Sequence, residues 1–302
     1  MTTLTSRRLR RACCCGWRPI TKLFTSLAPL LVVVGTCLGS VPVLAKNLQW
    51  VVYYGAEAPA EAFDPYDLIV LESFEHPPLQ PLKDRGATVL GYLSVGEVER
   101  QRPYFAEIEA QNLLIHESPT WPGSFSIDVR DPKWTKRVIE DLIPFILHQG
   151  FDGVMLDTLD NPPDLERKDP RRFAGMTPAT ARLVRTIRRH YPDIKIMVNR
   201  AYEILPEIGG DIDYVLGESV YAGYDFSAKK PRRIGKRNYD YQVKILKRVR
   251  EQNPQLQIMT LDYWDPADTE GTTDIYTIQR SNGFAPYVST IELNRIIKEP
   301  GR

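Results

Sequence analysis

The amino-acid sequence predicts an α/β protein, a single (β/α)8 TIM barrel behind an export leader. Three observations carry that expectation. Eight short β-branched runs recur along about 250 residues, with helix-forming stretches between them. The first run is followed by no glycine-rich phosphate loop, which argues against the doubly wound open sheet. A composition of 43% hydrophobic and 25% charged residues over 302 positions suits one sizeable core.

The leader comes first. Residues 1–45 hold six bases (Arg7, Arg8, Arg10, Arg11, Arg18, Lys22) and no acid, then an uncharged stretch ending Val43-Leu44-Ala45 before Lys46. A basic segment, an apolar segment and small residues at a cleavage position read as a signal peptide of residues 1–45, with the mature domain at 46–302. The protein is therefore expected to be exported, periplasmic or secreted. The uncharged stretch is also long enough to span a bilayer, so an uncleaved membrane anchor is the alternative. Cleavage after Ala45 removes all four cysteines (Cys13, Cys14, Cys15, Cys37) and leaves 33 bases against 38 acids, a net charge of −5. No stable membrane association is then expected, nor a nucleic-acid partner. The basic run "KKPRRIGKR", Lys229 to Arg237, reads as a solvated loop.

The eight runs are "QWVVYY" (49–54), "DLIVLE" (67–72), "TVLGYLS" (88–94), "GVMLDT" (153–158), "KIMVN" (195–199), "DYVLGE" (213–218), "QIMTLD" (257–262) and "APYVST" (285–290). The helices between them follow from 3.6-residue periodicity and end signals. "PKWTKRVIEDLIPFILHQG" places Val138, Leu142, Phe145 and Ile146 on one face and closes at Gly150. "TPATARLVRTIRRHYP" offers Thr177 as N-cap and Pro178 at the first helical position. "YDYQVKILKRVREQNP" stops before a proline. The third connection, Ser94 to Asp131, is long for this fold and carries Tyr104, Phe105, Trp121 and Phe125; such loops over a barrel mouth often act as lids.

In a barrel of this kind the C-terminal strand ends converge on one mouth, where the chemistry sits. Those ends supply Tyr53, Tyr54, Glu72, Tyr92 with Glu97 beyond it, Asp157, Asp160, Asn199, Arg200, Glu218, Asp262, Tyr263, Trp264 and Asp265. The histidines His76, His116, His148 and His190 fall in connections or helix ends, so neither a hydrolytic triad nor a zinc site is supported, and no cofactor is expected. Paired carboxylates among tyrosine, tryptophan, asparagine and arginine suit glycoside hydrolysis. Asp157 and Glu218 are the candidate catalytic acids. Tyr53, Tyr54, Tyr92, Glu97, Asp128, Asp160, Asn199, Arg200, Tyr221, Asp262, Tyr263 and Trp264 are the candidate substrate contacts. Some have structural alternatives: Asp160 as a turn former, Asp128 as the partner of Arg130, and Tyr92, Tyr263 and Trp264 as packing. Asp152, at the opposite end of the fourth run, reads as structural.

The stretches "GFDGVMLDTLDNP", "IDVRDPKW", "IMVNRAYEILP", "VLGESVY" and "TLDYWDP" resemble glycoside hydrolase family 114, the endo-α-1,4-polygalactosaminidase-like TIM barrels, in a bacterial-type exported form. The resemblance runs from Leu48 to Pro300. It implies catalytic acids at the ends of strands four and six, Asp157 and Glu218 here, and an α-linked, galactosamine-rich polysaccharide substrate cleaved within the chain. Strand one departs from the glutamine-containing ending of the fungal members, closing instead on Tyr53-Tyr54-Gly55. The concentration of acids at the mouth (Glu72, Glu97, Asp157, Asp160, Glu218, Asp262, Asp265), opposed by Arg200, further predicts attraction of a cationic polymer. A carbohydrate-binding barrel without turnover, and a metal-dependent deacetylase, are the readings this one competes with.

Overall fold

The computed structural model describes residues 48–301. The expected leader lies outside them. Eight parallel strands form the barrel: β1 (Trp50–Tyr53), β2 (Leu68–Leu71), β3 (Thr88–Ser94), β4 (Gly153–Asp157), β5 (Lys195–Asn199), β6 (Tyr214–Glu218), β7 (Gln257–Tyr263) and β8 (Ala285–Ser289). Each pairs with the next in chain order. These are the eight runs read from the sequence, trimmed at most by a residue or so at their ends.

Helices cover the outside and side chains fill the inside, so the strands are buried on both faces and carry apolar residues almost continuously. Where two backbones come closest, only glycine fits: a Cβ on Gly153 would lie 1.9 Å from the Lys195 carbonyl oxygen on β5. The seam between β8 and β1 has no ladder among the described residues. It is joined by the Trp50 indole, which donates to the Ala285 carbonyl at 2.9 Å, and by the Tyr54 N–H, which donates to the Leu293 carbonyl at 2.7 Å. At the opposite end of β4, Asp152 accepts from the Val89 N–H at 2.9 Å and pairs with Lys83 at 2.9 Å, a structural role as expected.

Several local expectations need correction. The helix after the third connection is α-helical over Pro132–Arg137 and Ile143–His148, with wider π turns at Val138–Leu142 between them. Pro144 is the cause: it offers no N–H, and in α geometry its ring would strike the Glu140 carbonyl. Phe145 is not core. It is exposed and stacks on Phe74, centroids 4.8 Å apart. The next long helix begins at Met176, not after Thr177, and its cap comes from elsewhere. Glu166 reaches over from the preceding helix and accepts from the Gly175 and Thr177 N–H groups, both at 2.7 Å. This fits the preference for a carboxylate at a helix N-terminus.

Two insertions extend the C-terminal ends of the barrel. The third connection is a built subdomain: strands Glu97–Glu99, Ser124–Ile127 and Leu114–Glu117 form an antiparallel sheet in that spatial order, with a helix at Phe105–Ala110. The sixth holds a hairpin, Ala222–Asp225 against Lys230–Arg233. Four of the nine residues of the basic run expected as a loop, Lys230–Arg233, therefore form a strand, and its last two open the helix Lys236–Gln252.

Candidate active site

Six strand ends build the centre of the mouth. The chain leaves β4, β5 and β6 by the same device: the residue after each has a left-handed backbone. Thr158 has φ 63°, Arg200 and Ala201 have φ 55° and 52°, and Ser219 has φ 54°. Such residues cost roughly 1–3 kcal/mol each and cluster where a site over-determines them. Thr158 is the least tolerant, being β-branched. Its hydroxyl accepts from the Gly96 and Glu97 N–H groups at 2.8 and 3.1 Å, tying the third insertion to the end of β4. A Cβ on Gly96 would meet the Thr158 carbonyl oxygen at 2.1 Å, so that junction also requires glycine.

Asp157, Asn199 and Glu218 end β4, β5 and β6. The Asn199 amide nitrogen donates to Asp157 Oδ1 at 2.9 Å and to Glu218 Oε2 at 2.7 Å. Those two carboxylate oxygens therefore lie no farther apart than the two bonds laid end to end. Asp157 also accepts from its neighbour's N–H, Thr158, at 2.7 Å and from the Tyr92 hydroxyl at 3.1 Å. Glu218 accepts from the Tyr263 hydroxyl at 2.7 Å. The Asn199 carbonyl oxygen is buried with no protein partner. Burial first, and the charge of Glu218 second, push Asp157 up to about 6; the donors on its charged form oppose that rise. Tyr54, Tyr92 and Tyr263 are raised well above 10, chiefly by burial and then by these carboxylates, so they remain donors. The Tyr54 ring lies edge-on to Tyr92, centroids 5.1 Å apart.

Seven of the fourteen sequence-predicted residues thus meet in one network or its immediate wall: Tyr54, Tyr92, Asp157, Asn199, Glu218, Tyr263 and, beside them, Asp160. Asp160 pairs with the exposed Arg200 at 3.2 Å, which places Arg200 at the same edge.

The structure engages the remaining candidates with other partners. Tyr53 points the other way along β1 and packs edge-on against Phe63. Glu97 is buried, held by Ser124 at 2.6 Å and Asn161 at 2.7 Å, and fastens the insertion to the helix after β4. Asp262 is fully buried and accepts from the Tyr221 and Ala222 N–H groups, both at 2.7 Å, and from Gln279 at 2.6 Å. Asp128 is bound by Arg130 in a two-pronged pair at 2.8 and 2.7 Å. Tyr221 and Trp264 present ring faces to the Arg233 guanidinium, at 4.6 and 4.3 Å, rather than leaving them open. Glu72 is clamped by Arg102 at 2.7 and 3.0 Å. Of the seven acids expected to set a field at the mouth, Glu72 and Asp160 are thus paired with arginines, and Glu97 and Asp262 are taken into buried hydrogen-bond networks.

Arg102, Glu99 and Arg233 were not foreseen. Arg102 also binds Glu99 at 2.5 Å and lies 5.8 Å from the Tyr92 ring centroid, bracing the wall behind Asp157. Nothing local in the sequence marks it, because its main partner is thirty residues away.

The model of glycoside-hydrolase family GH114 matches residues 39–301. A protein of Deinococcus radiodurans is 26% identical over 248 residues, covering 77% of this chain and 76% of that one. The glycoside hydrolase domain of PelA from Pseudomonas aeruginosa superposes with a TM-score of 0.74 at 27% identity, covering 83% of this chain and 98% of that domain. Aspergillus fumigatus Ega3, solved in complex with galactosamine, shares the fold at a TM-score of 0.61 and 15% identity, covering 82% of this chain and 93% of Ega3. With a closed set of strand-end carboxylates, a parallel eight-stranded barrel and a family match over most of its length, the chain belongs to glycoside-hydrolase family GH114 and is a glycoside hydrolase.

Proposed function

We propose that the protein is an exported, endo-acting hydrolase of galactosamine-rich polysaccharide, working by a retaining two-step mechanism with Asp157 as nucleophile and Glu218 as general acid/base. The observation that carries this reading is the single Asn199 amide nitrogen bonded to both carboxylates. Two bonds of 2.9 and 2.7 Å from one nitrogen bound the separation of the nearest oxygens, which supports the short spacing of retaining enzymes, about 5–5.5 Å, over the roughly 6.5–9.5 Å that an intervening water requires.

Asp157 is assigned the nucleophile because the three hydrogen bonds it accepts favour its charged form, against the rise that burial imposes. Glu218 delivers its proton to the departing glycosidic oxygen while Asp157 attacks the anomeric carbon, giving a glycosyl ester. Glu218 then takes a proton from water, which attacks the same carbon and releases Asp157. Tyr92, Asn199 and Tyr263 hold the two carboxyl groups in register throughout.

The galactosamine in the Ega3 complex supports an amino-sugar substrate for this chain, and such a polymer is cationic where its amines are free. Cleavage of the leader after Ala45 belongs to the same proposal; among the described residues no helix is long and apolar enough to cross a membrane. Incubation of the purified protein with amino-sugar polymers of graded acetylation, followed by mass and NMR analysis of products, tests the reading. Internal cleavage yielding oligomers with retained anomeric configuration is expected. Monosaccharide release alone would remove the endo assignment, inverted products the nucleophile, and inert amino-sugar polymers the substrate class.

A further inference from the structure

Few large apolar side chains are exposed among the described residues: Trp121, Phe145, Phe226 and Tyr241. Two of them meet. Trp121 is 52% exposed and Phe226 44%, yet their rings stand edge to face with centroids 5.0 Å apart. Tyr224 adds a third ring, 5.2 Å from Phe226.

Their positions give the contact meaning. Trp121 lies in the turn between Leu114–Glu117 and Ser124–Ile127, in the insertion after β3. Phe226 lies in the turn of the hairpin after β6. In the barrel, β4 and β5 stand between those two strands. The first insertion starts on the end of β4, through Thr158 and Asn161, and its ladder then runs outward from Glu97↔Ser126 to Glu99↔Ser124, a rise of about 7 Å. Trp121 stands beyond Ser124, whose N–H donates to its carbonyl at 3.0 Å. The hairpin is anchored at its base by Asp262. The tips thus start from the C-terminal ends of β3 and β6 and touch one another, on the side of the barrel where β4 and β5, standing between those strands, deliver Asp157 and Asn199.

Rings gathered only for packing would bury one another, and these stay half in solvent. Such a cluster, bordered by polar loops, marks a contact surface. A sugar ring has an apolar C–H face and a hydroxyl rim, the complement of an aromatic face left open at a wet edge. The rings first expected to do this, Trp264 and Tyr221, are already covered by Arg233. We infer that Trp121 and Phe226 together form a sugar-stacking subsite for a unit of the polymer away from the bond being cleaved. The inference rests on the polysaccharide reading above and adds where a long chain is gripped.

The test separates grip from turnover. Retention of Asp157→Asn protein on gels containing a galactosamine polymer is measured alone and combined with Trp121→Ala, Trp121→Phe or Phe226→Ala. Trp121→Ala and Phe226→Ala are expected to weaken retention roughly tenfold, with Trp121→Phe close to the parent. In active protein, the ratio of kcat/KM on long polymer to kcat/KM on the shortest cleaved oligomer should fall by a similar factor. Unchanged retention and an unchanged ratio in both alanine variants overturn the subsite, as does a parent protein that no polymer retains. A parent that is retained through Trp121 but cleaves nothing would keep the subsite and sink the catalytic proposal instead. Thermal unfolding of each variant checks that the tips alone have changed.

Discussion

Asp157 and Asp262 occupy equivalent places, each an aspartate at or near the C-terminal end of a barrel strand, and burial pushes both up to about 6. Their surroundings differ. Asp157 faces a second carboxylate, shares an amide with it, and retains access to solvent. Asp262 is sealed from solvent and answers two backbone N–H groups and the Gln279 amide, fixing the path of the chain into the hairpin after β6. A perturbed carboxyl group is thus not by itself a catalytic one. Access and a partner of like charge distinguish the two.

The sharpest way to break the comparison is to neutralise each residue. Asp157→Asn and Glu218→Gln should each lower kcat by about 10³-fold or more while leaving the protein folded, checked by circular dichroism. Near-normal turnover in either would remove that residue from the chemistry. Asp262→Ala should do the reverse, costing about 3 kcal/mol or more in urea unfolding because three buried donors lose their acceptor. Asp262→Asn should be much milder. The Gln279 carbonyl oxygen is buried without a partner, so that amide can turn and accept from the new side chain.

Asn199 provides the next test. If its amide offsets repulsion between the two acids, Asn199→Ala should lower kcat/KM by roughly 10²-fold. It should also displace the acid limb of the pH profile. In the wild type that limb should fall below about pH 6 as Asp157 takes up a proton. Losing a donor to the charged form should move it to higher pH. A limb that stays in place would leave Asn199 with a structural role only.

The smallest effect is on stability against pH. Asp157 and Asp262 have folded-state values near 6, above the roughly 3.9 of an unfolded aspartate. Between those values the native protein holds more protons than the unfolded chain, so the contribution of these groups is greatest below about pH 4 and is lost as pH rises through about 6. Urea midpoints measured across that window should flatten in Asp157→Asn and in Asp262→Asn, each removing its own share. Equal slopes in wild type and both variants would contradict the burial assigned to the two groups.

The barrel was legible because its strands are buried on both faces. Burial on both sides forces an uninterrupted apolar run, and eight such runs separated by helical periodicity admit few arrangements. The acids at the ends of β4 and β6 and the asparagine at the end of β5 were legible for the same reason: in this fold a polar residue that closes an apolar run is delivered to the mouth. The alternation of side chains along a strand was less well used. Tyr53 and Tyr54 are neighbours on opposite faces, and only Tyr54 reaches the mouth.

What lay beyond the sequence was every feature set by contacts between distant segments. Glu97 and Asp262 look like mouth residues by position, and they become fasteners because Asn161, Ser124 and Gln279 arrive beside them from other elements. Trp264 and Tyr221 look like open platforms until Arg233 stacks on them from the hairpin. The sequence by itself determined the strand count, their order and the two catalytic candidates, because these follow from local periodicity and chain direction. Only the tertiary structure decided which acids are tied to cations or buried networks, that one amide joins Asp157 to Glu218, and that Trp121 and Phe226 meet. Hydrogen bonds, ion pairs and ring contacts act over a few ångströms, and sequence separation says nothing about which groups will come that close.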